Sequence, residues 1–447
     1  MGGDPSMKIL YICQYFPPEV CAPAVRALEL SSEWSHAGHD VTVLTGFPNH
    51  PEGVIHPAYL RAWRKGFRRE DHGDVRVCRT WLYPAANRGI WRRSANYLSF
   101  AISAAAAGSW VGRNHGIVIA TSPQLLVGAA GYIAARVQGL PFVFEVRDLW
   151  PESLEAIGAA SRHSFLYRSL EYLARFLYQR ADRIVVDGKW KQNALAASGV
   201  PTKKITVIRN GVQENFFPEP ESSQAQQARK ALRAKYNVEG KFVAMYCGTL
   251  GMAQGLETVL DAAARLRSHR GIVFLLVGEG AEREKITRRT LDLGLVNLLC
   301  LNKQPRENIP GFLAMADACL VPLRRSNVFR TAIPSKMFEA MAASKPVILN
   351  AEGEAGELLL EAHAGIVVPP GDDDALATAV LRLQQNPDFG RDLGANGRRV
   401  VLEKYTRRHQ AASYLQLLNE MVAVKGCGLP VSATPAPQPV SFRPIGK

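Results

Sequence analysis

The sequence lacks the patterns of a disulfide-stabilised or zinc-binding protein. Its seven cysteines are odd in number and include no Cys-x-x-Cys pair, and its ten histidines show no His-Glu-x-x-His spacing. These absences argue against a disulfide framework and predict that the protein holds no metal. Five cysteines lie in apolar runs and are predicted to be buried: Cys13, Cys78, Cys247, Cys300 and Cys319.

Long hydrophobic runs are scarce as well. Residues 1–6 are polar and Gly-rich, so we predict a short extension and no secretory signal before the first strand. The longest apolar stretch, residues 95–111, is dominated by Ala, Ser and Gly and falls short of a membrane-spanning helix. We predict a cytoplasmic protein in which this stretch forms a buried or interfacial helix.

Acidic residues are sparse in one basic stretch. The chain of 447 residues carries a net charge of +14, and residues 61–93 hold ten Lys or Arg against three acids, Glu70, Asp71 and Asp74. This stretch therefore supplies +7, half of the excess. Such clustering favours an anionic partner, namely lipid headgroups, phosphates or nucleic acid, although a merely solvated face would look the same.

Aromatic side chains are interleaved with these cations, as suits a lipid headgroup interface. The set comprises Tyr59, Leu60, Arg61, Trp63, Arg64, Lys65, Phe67, Arg68, Arg69, Trp91, Arg92, Arg93 and Tyr97. No recognised nucleic-acid-binding module accompanies the charge. We therefore predict contact with an anionic membrane surface through residues 59–97 and no contact with nucleic acid.

Short β-branched runs alternate with helical segments, which predicts parallel sheets flanked by helices. Predicted strands of the first half are residues 8–15, 40–45, 75–80, 116–120, 142–146, 183–186 and 205–208. After a polar linker at residues 218–227, further strands are predicted at residues 242–246, 273–277, 297–301, 318–321, 346–349 and 365–367. The predicted fold class is α/β, with two Rossmann-like, doubly wound parallel-sheet domains facing across a cleft.

The C-terminal end departs from this alternation. Residues 403–422 read as one long helix, with apolar positions on more than one side. Residues 425–447 contain five prolines and are predicted to be disordered.

The strongest chemical signal begins at Pro334. Pro334 fits the first turn of a helix, and Ser335 is predicted to cap its N–H groups. The amides of residues 336–338 and the Lys336 ammonium would then face a diphosphate. Glu339, one turn further on, can accept two hydrogen bonds from a cis-diol such as ribose. The alternative is an ordinary capped helix with a surface Lys and Glu.

Residues 334–347 resemble the nucleotide-binding signature of family 4 glycosyltransferases, which are retaining enzymes of the GT-B fold. Residues 207–212 resemble the interdomain crossover of that family, residues 276–280 its second C-domain strand and turn, and residues 316–318 the entry to its fourth. The Pro-Ser-Lys form of the signature resembles a subgroup in exopolysaccharide and O-antigen assembly, notably the N-acetyl-fucosaminyl transferases.

The resemblance implies a division of the chain by function. Residues 7–212 would bind the acceptor, residues 213–402 would bind the nucleotide sugar, and residues 403–423 would form a closing helix that returns to the first domain. The nucleotide sugar would be bound by Gly248, Thr249, Gln254, Gly278, Lys303, Gln304, Arg330, Ser335, Lys336 and Glu339. Asp148, which ends a predicted strand, would contact the donor sugar or help to accept the acceptor proton, although Arg147 and Asp148 can also be a structural ion pair.

Two departures from the family pattern concern charge. The family pairs the helical Glu with another Glu eight positions earlier, where this chain has Thr331. It also carries Arg and Lys for the diphosphate at the places held here by Thr249 and Gln254. We hypothesise that Arg324, Arg325 and Arg330 supply the missing charge together with Lys336.

The reaction implied by the resemblance moves a sugar from a UDP-sugar, the co-substrate, to a polyprenyl-diphosphate-linked saccharide with retention of configuration. It requires no cofactor and no metal, and it would take place at the inner face of the plasma membrane. Two alternatives are a sugar-nucleotide epimerase of the same fold and an inactive nucleotide-sugar-binding membrane scaffold.

Overall fold

A computed structural model of the chain describes residues 6–86, 90–156, 158 and 160–426. The chain divides into two compact units. The first contains the described residues up to Arg209 and those from Arg408 to Gly426, and the second contains Asn210–Arg407. Each unit is built on a predominantly parallel sheet, so the predicted α/β class with two parallel-sheet domains is confirmed.

The first unit holds an eight-stranded sheet in the order β3-β4-β2-β1-β5-β6-β7-β8. Its strands are β1 Lys8–Ile12, β2 Asp40–Gly46, β3 Phe67–His72, β4 Val75–Thr80, β5 Ile117–Thr121, β6 Phe142–Val146, β7 Arg183–Val186 and β8 Ile205–Val207. Seven match predicted strands within a few residues. The unpredicted strand β3 pairs antiparallel with β4 at the sheet edge, where charged side chains are tolerated because one side of the strand is solvated.

The helices of the first unit cover both faces of this sheet. They are α1 Ala22–His36, α2 Leu60–Lys65, α3 Ile90–Val111, α4 Leu126–Gln138, α5 Glu152–Ala156, α6 Phe165–Arg180 and α7 Lys189–Ala197. Residues of α3, α4, α6 and α7 share a core with Leu10 and Ile12 on one face of β1. Ile9 and Tyr11, on the other face, pack with residues of α1.

The second unit holds a six-stranded parallel sheet in the order β11-β10-β9-β12-β13-β14. Its strands are β9 Phe242–Cys247, β10 Ile272–Val277, β11 Leu298–Leu301, β12 Ala318–Pro322, β13 Val347–Asn350 and β14 Gly365–Val368. Its helices are α8 Ser223–Lys235, α9 Glu257–Arg265, α10 Arg283–Asp292, α11 Ile309–Met315, α12 Ser335–Ala342, α13 Glu354–Glu361, α14 Asp373–Gln385 and α15 Pro387–Lys404. Two apolar cores lie against the two faces of the sheet.

The linker and the C-terminal helix differ from their predictions. Residues 218–227 are not linker throughout, because Ser222 accepts a hydrogen bond from the Ala225 amide at 3.3 Å and starts α8. The single helix predicted at residues 403–422 is two helices, since α15 ends at Lys404 and α16 spans Arg407–Gly426. Helix α16 packs on the face of the first sheet that α1 covers.

Both predicted terminal segments lie largely outside the described residues. Of the N-terminal extension, only Ser6 is described. Of the segment predicted to be disordered from residue 425, residues 427–447 are not described, and residues 425 and 426 belong to α16.

A buried ion pair joins α1 to β6 inside the first unit. Arg26 and Glu145 form a bidentate contact, with Nη1 of Arg26 at 3.0 Å from Oε2 of Glu145. Burial alone would raise the pKa of Glu145, but the Arg26 and Arg147 guanidinium groups outweigh it and hold this pKa below its usual value. Glu145 is therefore a buried anion, and its ionised form is stabilised by Arg26.

We predict that Arg26→Met destabilises the first unit by about 3–5 kcal/mol, because the substitution leaves the Glu145 carboxylate buried without its cation. The urea midpoint of unfolding, followed by tryptophan fluorescence, measures this loss. The control is Arg391→Met, which removes an exposed ion pair with Asp388 and should leave the midpoint unchanged. Equal midpoints for the two variants would contradict the assignment of Glu145 as a buried anion that Arg26 stabilises.

Candidate functional site

Three strand ends meet closely at the carboxyl edge of the second sheet. The Gly248 amide donates to the Val277 carbonyl at 2.9 Å, and the Gly278 amide donates to the Leu301 carbonyl at 3.1 Å. A Cβ atom on Gly278 would lie 1.9 Å from the Gly248 oxygen, so only glycine fits there. The two predicted glycines therefore let the loops after β9 and β10 approach each other at the sheet edge.

Helix α12 begins beside these loops, as the Pro-Ser-Lys motif predicts. Its first residue is Ser335, and Pro334 precedes it in an extended conformation. Among the described residues no side chain caps this helix, so the prediction that Ser335 caps it is wrong. Because Ser335 is the first helical residue, its own backbone belongs to the first turn. That turn presents N–H groups and a positive dipole end, which an anion can accept.

Lys336 projects from α12 to the loop after β9. Its Nζ lies 2.7 Å from the Tyr246 hydroxyl and 2.9 Å from Oε1 of Gln254. The Tyr246 hydroxyl in turn donates to the Thr249 carbonyl at 2.6 Å, so its oxygen is oriented to accept from Lys336. A Cβ atom on Gly248 would lie 3.0 Å from Nζ, which shows how closely the glycine backbone approaches the ammonium. The structure thus brings together Gly248, Thr249, Gln254 and Lys336.

Both hydrogen-bond partners of the Lys336 ammonium are neutral groups. Burial lowers the pKa of Lys336 to about 8, although Cys247 and Glu339 act in the opposite direction. Burial also raises the pKa of the Cys247 thiol to about 12, so this neighbour is neutral at pH 7. A phenol and an amide stabilise a cation less than a carboxylate does, and an incoming anion would therefore gain a strong charge-assisted contact.

Glu339 follows Lys336 on the same helix and is half-buried. Nη1 of Arg306 lies 3.8 Å from Oε1 of Glu339, and the Arg306 guanidinium lies 4.3 Å from the centroid of the Phe216 ring. This contact limits the freedom of the carboxylate and leaves it near the first turn of α12. The geometry suits a carboxylate that accepts hydrogen bonds from a diol.

The three arginines before α12 surround a separate cavity of about 80 Å³, which Arg324, Arg325, Arg330 and Glu352 line with other residues. Glu352 lies 3.7 Å from Nε of Arg330 and 3.9 Å from Nη2 of Arg325. The Arg324 amide donates to the Ala253 carbonyl at 2.9 Å and ties this loop to the one that carries Gln254. Arg330 and Arg325 therefore share the Glu352 carboxylate.

Lys303 and Gln304 lie in the loop after β11. Lys303 is exposed, and the Gln304 side chain donates to the Asn302 carbonyl at 3.0 Å. Their predicted contact with the nucleotide sugar stays a prediction.

Asp148 lies in the first unit, where its side chain is exposed after β6. Its neighbour Arg147 contributes a backbone carbonyl that accepts from Nζ of Lys191 at 2.5 Å, and Lys191 pairs with Asp187 at 2.6 Å. In the described part of the chain no ion pair within 4 Å joins Arg147 to Asp148. The role of Asp148 stays a prediction.

Sequence reasoning missed Tyr246, Arg306 and Lys191. Tyr246 closes an apolar run and reads as core, which it also is, since its ring is fully buried. Arg306 stands in a polar loop with no motif around it. The sequence around Lys191 did contain a signal for a site at the sheet edge. Asp187-Gly188 directly follows a strand, and Lys191 comes one helical turn later.

Comparison with known proteins assigns the two units to one class of enzyme. Residues 22–211 match the family described as glycosyl transferase 4-like domain, and residues 228–400 match the family described as glycosyl transferases group 1. Together these segments make up most of the chain. The chain belongs to the glycosyltransferases, with a 4-like domain followed by a group 1 domain.

Two bacterial proteins that are similar to this chain are named as glycosyltransferases, and one of the names refers to polysaccharide synthesis. It is 25% identical over 384 residues to the putative colanic acid biosynthesis glycosyl transferase WcaI of Escherichia coli K12, covering 84% of this chain and 91% of WcaI. It is 27% identical over 270 residues to the probable glycosyltransferase WbjE of Pseudomonas aeruginosa, covering 59% of this chain and 64% of WbjE.

Solved structures show that the glycosyltransferase has the GT-B fold. Sucrose-phosphate synthase from Thermosynechococcus elongatus superposes with a TM-score of 0.72 at 20% identity, covering 94% of this chain and all of that one. Anabaena HepE in complex with UDP-glucose superposes with a TM-score of 0.66 at 17% identity, covering 95% of this chain and all of HepE.

We predict that Lys336 titrates near pH 8, well below the ordinary lysine value of about 10.4. NMR of reductively ¹³C-methylated protein, with the signal assigned through Lys336→Arg, measures this pKa. Gln254→Leu should lower it further, because the charged form loses an accepting oxygen. Lys345, whose pKa burial also lowers to about 8 but which bonds the Ala314 carbonyl, is the internal control and should not move. An ordinary pKa for Lys336 would contradict the geometry.

Proposed function

We propose that the protein transfers a sugar, an N-acetylated hexosamine or deoxyhexosamine, from a UDP-sugar to a lipid-diphosphate-linked saccharide in bacterial cell-surface polysaccharide synthesis. The observation that carries the proposal is the Lys336 ammonium, which has two neutral partners beside the uncapped start of α12. An anionic diphosphate suits this place. Two similar proteins support the choice of substrates, since HepE was solved in complex with UDP-glucose and the name of WcaI refers to colanic acid biosynthesis.

In this proposal the site residues of the second unit contact different parts of the donor. Lys336 and the first amides of α12, before the Met337 amide that donates to the Pro334 carbonyl at 3.1 Å, bind the diphosphate, because they supply one full charge and oriented N–H donors. Glu339, held by Arg306, accepts hydrogen bonds from the ribose hydroxyls. Gly248 and Gly278 leave room for the diphosphate to approach the backbone.

The proposed chemistry is substitution at the anomeric carbon of the donor. The bond between that carbon and the diphosphate oxygen breaks, the acceptor oxygen forms the new bond on the same face, and the departing diphosphate takes the acceptor proton. Lys336 would stabilise the negative charge that develops on the leaving group, which is the main catalytic task in such a reaction. No metal or further cofactor takes part in this proposal.

The first unit would bind the acceptor. Asp148, exposed at the carboxyl end of β6, would contact the donor sugar or assist the acceptor proton. A lipid-linked acceptor would confine the enzyme to the cytoplasmic face of the membrane. The resemblance to N-acetyl-fucosaminyl transferases supports the N-acetylated sugar, and the proposed retention of configuration rests on the resemblance to family 4 glycosyltransferases.

Mass spectrometry tests the transfer directly. Purified protein is incubated with a panel of UDP-sugars and short-chain polyprenyl-diphosphate saccharides, and we expect one new glycolipid together with UDP. Glu339→Gln should lower kcat/KM for the donor roughly ten- to hundred-fold, because the ribose hydroxyls lose a charged acceptor. Glu361→Gln, an exposed residue on α13, is the matched control and should behave as wild type.

Two outcomes would replace the proposal with an alternative. Conversion of the UDP-sugar to its epimer without any acceptor would identify an epimerase. Tight UDP binding with no product from any donor and acceptor would identify a non-catalytic nucleotide-sugar-binding protein, as the loss of the usual Arg, Lys and first Glu would permit.

A further inference from the structure

The outer side of α3 carries a row of large apolar side chains. Trp91, Leu98, Ile102 and Trp110 have exposed fractions of 88%, 53%, 63% and 52%. Their spacing of seven, four and eight residues places them on one face of a helix. The buried side of α3 consists mainly of small residues, Ala101, Ala104, Ala105 and Gly108, together with Asn96 and Phe100. Large residues outside and mainly small residues inside are the reverse of an ordinary surface helix.

The apolar row continues onto the neighbouring helix α4. A Cβ atom on Gly108 would lie 2.9 Å from the Cβ atom of Ala134, so the two helices pack closely. On α4, Ile133 and Val137 are exposed by 45% and 65%. The exposed apolar side chains of α3 and α4 therefore lie side by side on two packed helices rather than being scattered singly.

The charges on α2, α3 and α4 are all of one sign. Helices α2, α3 and α4 contain no Asp or Glu, and they carry six cations, which are Arg61, Arg64, Lys65, Arg92, Arg93 and Arg136. At the far end of α3, the Arg69 guanidinium lies 4.7 Å from the centroid of the Trp110 ring. Cations beside exposed tryptophans suit the boundary between lipid headgroups and acyl chains.

The structure changes the membrane-facing set predicted from the sequence. Tyr59, Trp63 and Phe67 are partly buried and pack against the core of the first unit. Trp63 also donates from Nε1 to the Leu82 carbonyl at 2.9 Å. Of the predicted aromatic residues, Trp91 is the one exposed most strongly, and the apolar row extends beyond residue 97 to Trp110.

We propose that α2, α3 and α4 dock onto an anionic lipid bilayer, with α3 lying in the membrane plane and Trp91, Leu98, Ile102 and Trp110 inserted among the lipids. No helix in the described part of the chain is long and apolar enough to cross a membrane. A second copy of the chain on this surface would bring like charges face to face, whereas anionic headgroups attract them. The inference rests on the proposed function, because the lipid-linked acceptor is the reason for a membrane contact.

Vesicle sedimentation tests the surface. Wild-type protein should bind vesicles that are made of equal amounts of phosphatidylglycerol and phosphatidylcholine. It should bind vesicles of phosphatidylcholine alone more weakly. The double variant Leu98→Ser, Ile102→Ser should lower the partition coefficient at least about ten-fold, because two inserted side chains become polar. The matched control is Leu291→Ser, Val296→Ser, which alters apolar residues of the second unit that are exposed by 75% and 84% and should bind as wild type.

A second pair of variants tests the charge. The double variant Arg64→Gln, Arg92→Gln should reduce binding to the anionic vesicles by about ten-fold. It should hardly change the weak binding to phosphatidylcholine vesicles. Arg270→Gln, Arg288→Gln, two exposed cations of the second unit, is the control. Folding of every variant is checked by its thermal midpoint, which substitution of exposed residues should leave close to that of wild type.

Two results would overturn the inference. One is vesicle binding that the α3 variants leave at the wild-type level. The other is a dimer, detected by sedimentation velocity, that the substitutions at Leu98 and Ile102 dissociate, since this would mean that a second copy covers the row. Turnover of a soluble short-chain acceptor separates this test from that of the proposed function, because such turnover needs no vesicles and should be unchanged in the α3 variants.

Discussion

The ammonium group of Lys336 is held by a phenol and an amide, and neither of them carries a charge. Three features of the second unit surround this contact. The Tyr246 hydroxyl is fixed by the Thr249 carbonyl, a Cβ atom on Gly248 would crowd the ammonium, and α12 begins without a side-chain cap. The ammonium therefore has neutral hydrogen-bond partners beside a helix start, and a diphosphate would supply an anionic partner. In the proposed function, one cation from the helix takes the place of the two loop cations of the family pattern.

The sequence predicted the strands well because strands covered on both faces are short apolar runs. Strand β3 escaped prediction because four of its six residues are charged and its position at the sheet edge tolerates them. At the site, Lys336 and Glu339 could be found because they share one local motif. The partners of Lys336 could not, because Tyr246 lies 90 positions earlier and Gln254 lies 82 positions earlier. Such contacts depend on strand order, and one sequence does not reveal it.

The surface of the first unit shows the same limit in another way. An Ala-rich stretch predicts a buried or interfacial helix, but only packing decides which side faces outward. Gly108 and Ala134 bring α3 and α4 close together, and the large side chains of α3 are left outside as a consequence. The two units therefore differ in their chemistry. The second concentrates one cation and a helix terminus at a sheet edge, whereas the first presents an apolar row among arginines.

The most direct test of the central claim moves the cation back to the loop. Isothermal titration calorimetry with UDP compares wild type, Lys336→Gln and the exchange variant Lys336→Gln, Gln254→Lys. The account predicts that Lys336→Gln weakens UDP binding roughly ten- to hundred-fold, as expected for a lost charge-assisted contact, and that the exchange variant recovers a substantial part of the affinity. UDP affinity that is the same in wild type and Lys336→Gln would contradict the claim that Lys336 binds the diphosphate.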